Sequence, residues 1–537
     1  MNPFFKLLAV TLVLSGIPAC SSVVPGLKGR QQARATLQGA SVTELAGALA
    51  EADKAMQEGL ETEEQRQAYA TQVGRVVALW LALSDDSAGS APMQVGDSFR
   101  LVPQFPRGLR FDELIPSNTI RSRHLKHRMT RDGVGLSMVA HWKHTPERKA
   151  REAFMSDGGY LCPVTATLDF RQSAGRRVAL LVLHDSRVTQ TVRLGGHELP
   201  LAADLTAYGE YLLSMEAARM AGIKALLRSS SHMDKLGLIA LEPPSKDRIP
   251  LILVHGLMSR PATWENVINE FGTNPDIQRH YQVYLFRYPS GVPIIYSSQK
   301  LRENLAQLHD ILARSGAGRR CGNMVLIGHS MGGLVSKAQV QDSGDRFWVT
   351  ILGKGPQELG LKKEEFESLR RYMEFNPNPH ISRVIFAATP HRGSEVADSR
   401  LAHLGRRLVK LPGQTFGSTF DILQGLAERN QSLGQLLARG MPTSVDNLSP
   451  SSPYVRIATT LPFRPGVHLH SIIGNKDGRP TTDPKCSDGF VPYSSAHLEG
   501  VESELLVESD HSVHERPEAI EEMRRILKLH LQRLNLH

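Results

Sequence analysis

The chain predicts an α/β fold, with a mostly parallel central sheet, helices on both of its faces, and a helical and β-rich region in front. Three observations carry that expectation. Apolar runs without polar alternation, such as Pro250-Leu251-Ile252-Leu253-Val254 and Val325-Leu326-Ile327, read as strands covered on both faces, the habit of parallel sheets. The run Gly328-His329-Ser330-Met331-Gly332-Gly333 turns such a strand straight into a helix around a serine. Further strand-like segments, Leu469-His470-Ser471-Ile472-Ile473-Gly474 and Ser503-Glu504-Leu505-Leu506-Val507, are each followed by a polar loop bearing an acid or a histidine.

From the start of the chain, residues 1–20 read as an export signal: Lys6 supplies the positive end, Leu7 to Ile17 form an apolar core too short to span a bilayer, and Pro18-Ala19-Cys20 closes it. Residues 21–94 read as a tether and a helical hairpin. Ser41 with Glu44 and Thr62 with Gln65 are capping boxes, and Tyr69, Val73, Val76, Val77 and Trp80 mark an apolar face. Residues 95–240 read as a β-rich accessory region or sheet extension, with Thr165 to Phe170 alternating, Val178 to Leu183 continuously apolar, and a helix around Tyr208 to Leu227. Pro243-Pro244-Ser245-Lys246-Asp247 is a turn or boundary before the catalytic domain, expected over 241–537. Insertions at about 343–380 and 395–455 carry helical patches, including Phe366, Leu369, Tyr372 and Met373 in the first and Leu404, Leu408, Leu411, Leu423 and Leu426 in or near the second.

Ser330 is the candidate nucleophile, because a serine presented above a sheet must sit on a strained strand-to-helix turn whose flanking positions tolerate little beyond glycine. The strand ending in His255-Gly256 offers a second feature: the N–H of Leu257 joins that of Met331 as a pair of donors to a developing oxyanion. Asp488, in the loop after a strand, is the candidate acid, with Asp477 and Asp483 as competitors in the same loop. His511 is the candidate base and His514 its rival. A metal pair at His511 and His514 is disfavoured, since no acidic or thiol partner stands at ligand spacing, and no metal or organic cofactor is expected.

Together these segments resemble the serine lipase and esterase branch of the α/β-hydrolase superfamily. The marks are His255-Gly256-Leu257, Gly328-His329-Ser330-Met331-Gly332-Gly333, Ala388-Thr389-Pro390-His391-Arg392-Gly393-Ser394 after the strand Arg383 to Ala388, Asp488-Gly489-Phe490-Val491-Pro492, and His511 with its terminal helix. The resemblance covers roughly residues 240–537. It implies an α/β-hydrolase fold, a Ser330-His511-Asp488 triad, a lipid or other ester as substrate, and insertions that cap or lid an acyl pocket. His391 is expected to be a turn residue hydrogen-bonded below the site. Ile17-Pro18-Ala19-Cys20 is similar to a bacterial lipobox, although Pro18 departs from the usual pattern; it implies that Cys20 is acylated and, with Ser21 next, that the protein is an outer-membrane lipoprotein.

A 41% hydrophobic and 22% charged composition is that of a globular enzyme, and excludes a solvated, disordered chain. The net charge of +9 suits approach to anionic head groups. Basic residues cluster between Arg121 and Lys143, including Arg123, Lys126, Arg128 and Arg131; a solvated loop is expected there rather than nucleic-acid contact. With Cys20 consumed by lipid, Cys162, Cys321 and Cys486 remain, leaving a Cys321–Cys486 bridge and free thiols as alternatives. The expectation is a membrane-associated serine ester hydrolase. An acyltransferase using the same triad and a non-catalytic surface lipoprotein are the alternatives.

Overall fold

The computed structural model describes residues 41–84, 91–106, 108–120, 128–173, 175–211, 236–257, 259–395, 418–428, 434 and 443–536. The export signal, Cys20, most of the helix expected near Tyr208 to Leu227, and Leu404, Leu408 and Leu411 lie outside the described residues.

The helical hairpin forms as α1 (Val42–Gln57) and α2 (Glu63–Leu83). Both capping boxes close: Ser41 Oγ accepts from the Glu44 N–H at 3.1 Å and Thr62 Oγ1 from the Gln65 N–H at 3.2 Å, while each acidic or amide side chain accepts from its cap's own N–H. The hairpin lays Leu45, Leu49, Val73, Val77 and Trp80 on a sheet of its own. That sheet has strands β1 (Met93–Val95), β2 (Phe99–Gln104), β3 (Glu113–Pro116), β4 (Leu136–Trp142), β5 (Tyr160–Ser173) and β6 (Arg176–Asp185), in the order β1-β2-β6-β5-β4-β3. Tyr69 locks the two layers, its hydroxyl donating to Leu168 O at 2.6 Å, and Arg177 grips Asp53 through two bonds of 2.6 Å.

The accessory strands therefore form a separate six-stranded sheet and two further two-stranded pairs, Thr130–Arg131 with Ala203–Asp204 and Thr191–Leu194 with His197–Pro200, rather than extending the main sheet. Only β7 (Gly237–Ala240), within the segment expected to be accessory, joins the main sheet, as its antiparallel edge. Part of the basic stretch also departs from expectation: Arg128 pairs with Asp204, Arg131 donates to the carbonyls of Leu201, Ser186 and Thr189, and residues 136–142 are strand β4. The guanidinium groups of Arg128 and Arg131 thus serve acceptors within the accessory region. Residues 121–127 lie outside the described residues.

The main sheet adds β8 (Ile249–Val254), β9 (Tyr281–Arg287), β10 (Met324–His329), β11 (Ile381–Ala387), β12 (His468–Gly474) and β13 (Ser503–Val507), ordered β7-β9-β8-β10-β11-β12-β13, with all pairs after β7-β9 parallel. Because successive side chains point to opposite faces, each strand feeds two cores. Ile252, Val254, Leu326 and Phe386 meet α3 (Ile294–Arg314) and α4 (Met331–Lys337) on one side; Leu251, Leu253, Val325, Ile327 and Ile385 meet α7 (Pro517–Arg533) on the other. The chain leaves β8 for β9 on one side and later returns to place β10 on the other. A crevice opens at such a switch, outside the carboxyl ends of the strands. Val254 pairs with Gly328 and Gly328 with Phe386, so the ends of β8, β10 and β11 share one rim.

The first insertion contributes side chains to the core. Its helices α5 (Arg346–Leu352) and α6 (Lys363–Met373) bury Phe347, Trp348, Leu369 and Met373 in the α3–α4 layer. Within the second, Leu423, Leu448, Tyr454 and Val455 join the same layer, and residues 396–417, 429–433 and 435–442 lie outside the described residues. Cys162, Cys321 and Cys486 are free thiols, so the Cys321–Cys486 bridge does not form. Cys321 precedes β10 and Cys486 belongs to a loop at the carboxyl rim; a six-residue strand separates those edges by about 20 Å.

Candidate active site

At the end of β10 the backbone of Ser330 adopts φ +52° and ψ −124°, a left-handed conformation that a non-glycine residue holds only when its surroundings impose it. The surroundings do. The Ser330 N–H donates to Ala387 O at 2.8 Å, and its carbonyl accepts from the Gly333 N–H at 2.9 Å. A Cβ on Gly332 would lie 2.2 Å from Val254 O, so the turn closes only with glycine there.

The rim brings the three expected residues into one line. His511 Nε2 lies 2.8 Å from Ser330 Oγ, and His511 Nδ1 lies 2.7 Å from Asp488 Oδ2. An ionised carboxylate only accepts, so Nδ1 carries the ring proton and Nε2 is left to accept from the serine hydroxyl. Asp488 is 2% exposed, and its second oxygen, Oδ1, accepts from the N–H groups of Phe490 at 2.8 Å and Val491 at 2.7 Å. The competing acids are occupied elsewhere: Asp477 and Asp483 both bind Arg479, at 3.3 and 3.1 Å.

His514 does not reach the serine. Its Nε2 is 2.7 Å from Thr263 Oγ1, its ring lies edge-on to Trp264, and burial pushes its pKa down to about 3. Its ring centre lies 3.9 Å from that of His329, which is likewise held neutral by burial and by its histidine neighbours. His329 Nε2 in turn lies 2.8 Å from the His511 carbonyl oxygen.

At the end of β8, Gly256 passes so close to the serine that a Cβ there would sit 2.9 Å from Ser330 Cβ. The turn is braced by Tyr288, whose hydroxyl donates to His255 O at 2.6 Å and whose ring stacks on the His255 ring at 4.4 Å. Burial takes His255 down to about 4. Leu257 follows Gly256 in this turn, and Met331 opens α4 directly after Ser330.

The Thr389 to Ser394 segment is more than a turn. Arg392 donates to the carbonyls of Ser494 and His497 at 3.0 and 2.6 Å, Ser495 Oγ donates to Gly393 O at 2.6 Å, and Ser394 Oγ donates to Phe490 O. The loop after β11 thus clamps the loop that bears Asp488. His391 corrects the expectation of a side-chain hydrogen bond: its buried ring has no partner at either nitrogen among the described residues and sits edge-on to Phe386 at 4.7 Å. Burial, with Lys337 and Arg392 nearby, holds it neutral. The bracing role of Ser394 and the contacts of His329 and Phe490 were not visible in the sequence; the only available signal was their place within the motifs.

No three or more His, Cys, Asp or Glu side chains among the described residues gather as metal ligands, and none of the described helices is long and apolar enough to cross a membrane.

The strand-order switch, the strained serine turn and the acid and histidine loops on one rim define the α/β-hydrolase class. The α/β hydrolase family model matches residues 251–523, just over half of the chain, and the protein belongs to that family. No curated protein matches the chain. Solved structures similar to it include a Bacillus licheniformis lipase in mature form (17% identity, 54% of this chain and 97% of that one, TM-score 0.31). Others are a metagenomic carboxyl esterase (16%, 53% and 76%, 0.26) and the phospholipase PlaB from Legionella pneumophila (18%, 47% and 45%, 0.27).

Proposed function

We propose that the protein is a serine hydrolase that cleaves carboxylic esters of lipid character. One observation carries the proposal: the unbroken line from Ser330 Oγ through His511 to Asp488, with contacts of 2.8 and 2.7 Å. In this mechanism His511 Nε2 takes the serine proton as Oγ bonds to the ester carbonyl carbon. The Asp488 carboxylate stabilises the imidazolium, and the main-chain N–H groups of Leu257 and Met331 hold the oxyanion, each donor contributing about 3 kcal/mol. The alcohol leaves with the proton carried by His511. Water, activated by the same imidazole, then releases the acid from Ser330. None of these steps requires a metal or organic cofactor.

The test is labelling by a fluorophosphonate probe followed by a substrate panel of short esters, triacylglycerols and phospholipids. Labelling and ester cleavage are expected in the wild type and lost in Ser330→Ala. A well-folded wild type that neither reacts nor cleaves would sink the proposal, and acyl transfer outrunning hydrolysis in the presence of an alcohol acceptor would make it an acyltransferase. Attachment to a membrane face through lipidated Cys20 is part of the same proposal, resting on the lipobox-like residues 17–20. Mass spectrometry of the mature N-terminus should find acylated Cys20, and an intact Met1 would refute it.

A further inference from the structure

We infer that the Phe490 side chain forms the wall of the leaving-group pocket and sets a preference for esters of apolar alcohols. The inference rests on the ester-hydrolase proposal above. It begins from exposure: the Phe490 side chain stands 37% open to solvent. Leaving an aromatic ring in water is unfavourable, and this ring lies against the proposed base, its centre 5.2 Å from that of His511 with the planes tilted by 41°.

The other groups seen against that imidazole among the described residues belong to the proposed triad or are buried. Asp488 occupies Nδ1 and is buried; Ser330 occupies Nε2; the His329 ring, 5.1 Å away, is buried. Proton delivery to the departing alcohol requires its oxygen within about 3 Å of His511 Nε2. A group attached to that oxygen therefore starts beside the imidazole. Among the described residues, the exposed aromatic ring in contact with the imidazole is that of Phe490. The acyl chain is attached to the carbonyl carbon instead, so Phe490 discriminates on the alcohol side.

The main chain that carries the ring is also held in place. The Phe490 N–H donates to Asp488 Oδ1 at 2.8 Å and its carbonyl accepts from Ser394 Oγ, so the carboxylate that orients the base also fixes the backbone that carries the wall.

The test uses the purified protein and two ester series: butyrates of methanol, hexanol and benzyl alcohol, and ethyl esters from acetate to decanoate. The readout is kcat/KM, which reports acylation, the step in which the alcohol departs. In Phe490→Ala the benzyl-to-methyl ratio should fall about tenfold, the scale expected when an aromatic contact made by one substrate and not the other is lost. The decanoate-to-acetate ratio should stay within about twofold. Phe490→Trp should keep the benzyl-to-methyl ratio. An unchanged alcohol ratio, a uniform loss across all esters, or a shift in the acyl series overturns the inference. Fluorophosphonate labelling of the wild type separates the two levels: a labelled, ester-cleaving enzyme whose alcohol ratio ignores Phe490 rejects the pocket alone, whereas an inert wild type rejects the hydrolase reading and the pocket with it.

Discussion

His329 Nε2 lies 2.8 Å from the main-chain carbonyl oxygen of His511, tying the residue before the serine to the loop that carries its proposed base. A carbonyl only accepts, so His329 must hold its proton on Nε2; burial, reinforced by His514 and His511, keeps the ring neutral and fixes that role. Losing the donor would leave the His511 backbone free to drift from the serine. His329→Ala is expected to lower kcat about tenfold with little change in KM, in line with about 1–3 kcal/mol for a buried acceptor left unpaired. His329→Gln, whose amide nitrogen reaches to a similar depth, should recover most of it. Steady-state kinetics on a soluble ester decides; equal losses in both variants would mean the bond is irrelevant to the base.

The two histidines of the last loop should separate cleanly. His511→Ala removes the group in contact with Ser330 Oγ and should cut kcat by about 10⁶. His514 contacts Thr263, Trp264 and His329 but not the serine, so His514→Ala should cost stability, about 1–3 kcal/mol, while leaving activity within tenfold at 25 °C. Thermal melts and kinetics on both variants test this, and the reverse pattern would exchange their roles.

What the sequence made legible follows from what is local. Strands covered on both faces leave continuous apolar runs, and β8, β10, β11, β12 and β13 all lie within a residue or two of the segments read from Pro250, Val325, Arg383, Leu469 and Ser503. Ser330 was legible because the backbone strain it bears demands glycines at fixed spacing. Asp488 and His511 were legible as loop residues, but choosing them over Asp483 and His514 takes tertiary contacts: only the fold shows Asp483 held by Arg479 and His514 by Thr263. Two questions stayed open in the sequence for the same reason. Whether Cys321 and Cys486 bridge, and what the helices of 343–380 pack against, both depend on which elements meet: the cysteines are free thiols, and helices α5 and α6 bury Phe347, Trp348, Leu369 and Met373 among the residues of the α3–α4 layer.

Lys337, one turn beyond Gly333 on α4, is 2% exposed and has no carboxylate partner among the described residues; the Phe463 ring lies 5.7 Å from its Nζ. Burial, with Arg392 nearby, lowers its pKa from 10.5 to about 7. Between those values the unfolded chain binds more protons than the folded one, so stability rises with pH across that window, and below pH 7 the burial penalty is felt in full. Lys337→Met should therefore be more stable than the wild type at pH 6–7, by about 1–4 kcal/mol, with the difference shrinking toward zero near pH 10.5. Denaturation at several pH values measures it. A constant difference between variant and wild type would show that the lysine does not titrate in this range.

Asp488 performs two tasks with two oxygens, and one substitution can divide them. Oδ1 accepts the N–H groups of Phe490 and Val491, while Oδ2 faces His511 Nδ1. In Asp488→Asn the amide oxygen can keep the two main-chain bonds, which turns the NH₂ group toward the imidazole. An NH₂ donates, so it favours the tautomer with the proton on Nε2, the form that cannot accept from Ser330. The loop should hold, with Tm within a few degrees of the wild type, while kcat falls about 10⁴-fold. Asp488→Ala loses both tasks: activity should fall at least as far, and Tm should also drop, by about 4–8 °C for each kcal/mol in a small domain and less in a chain of this size. Melting curves beside kinetics for the pair give the answer. If Asp488→Asn melts as early as Asp488→Ala, the carboxylate charge rather than its hydrogen-bond pattern holds the loop, and the division of labour between the two oxygens is wrong.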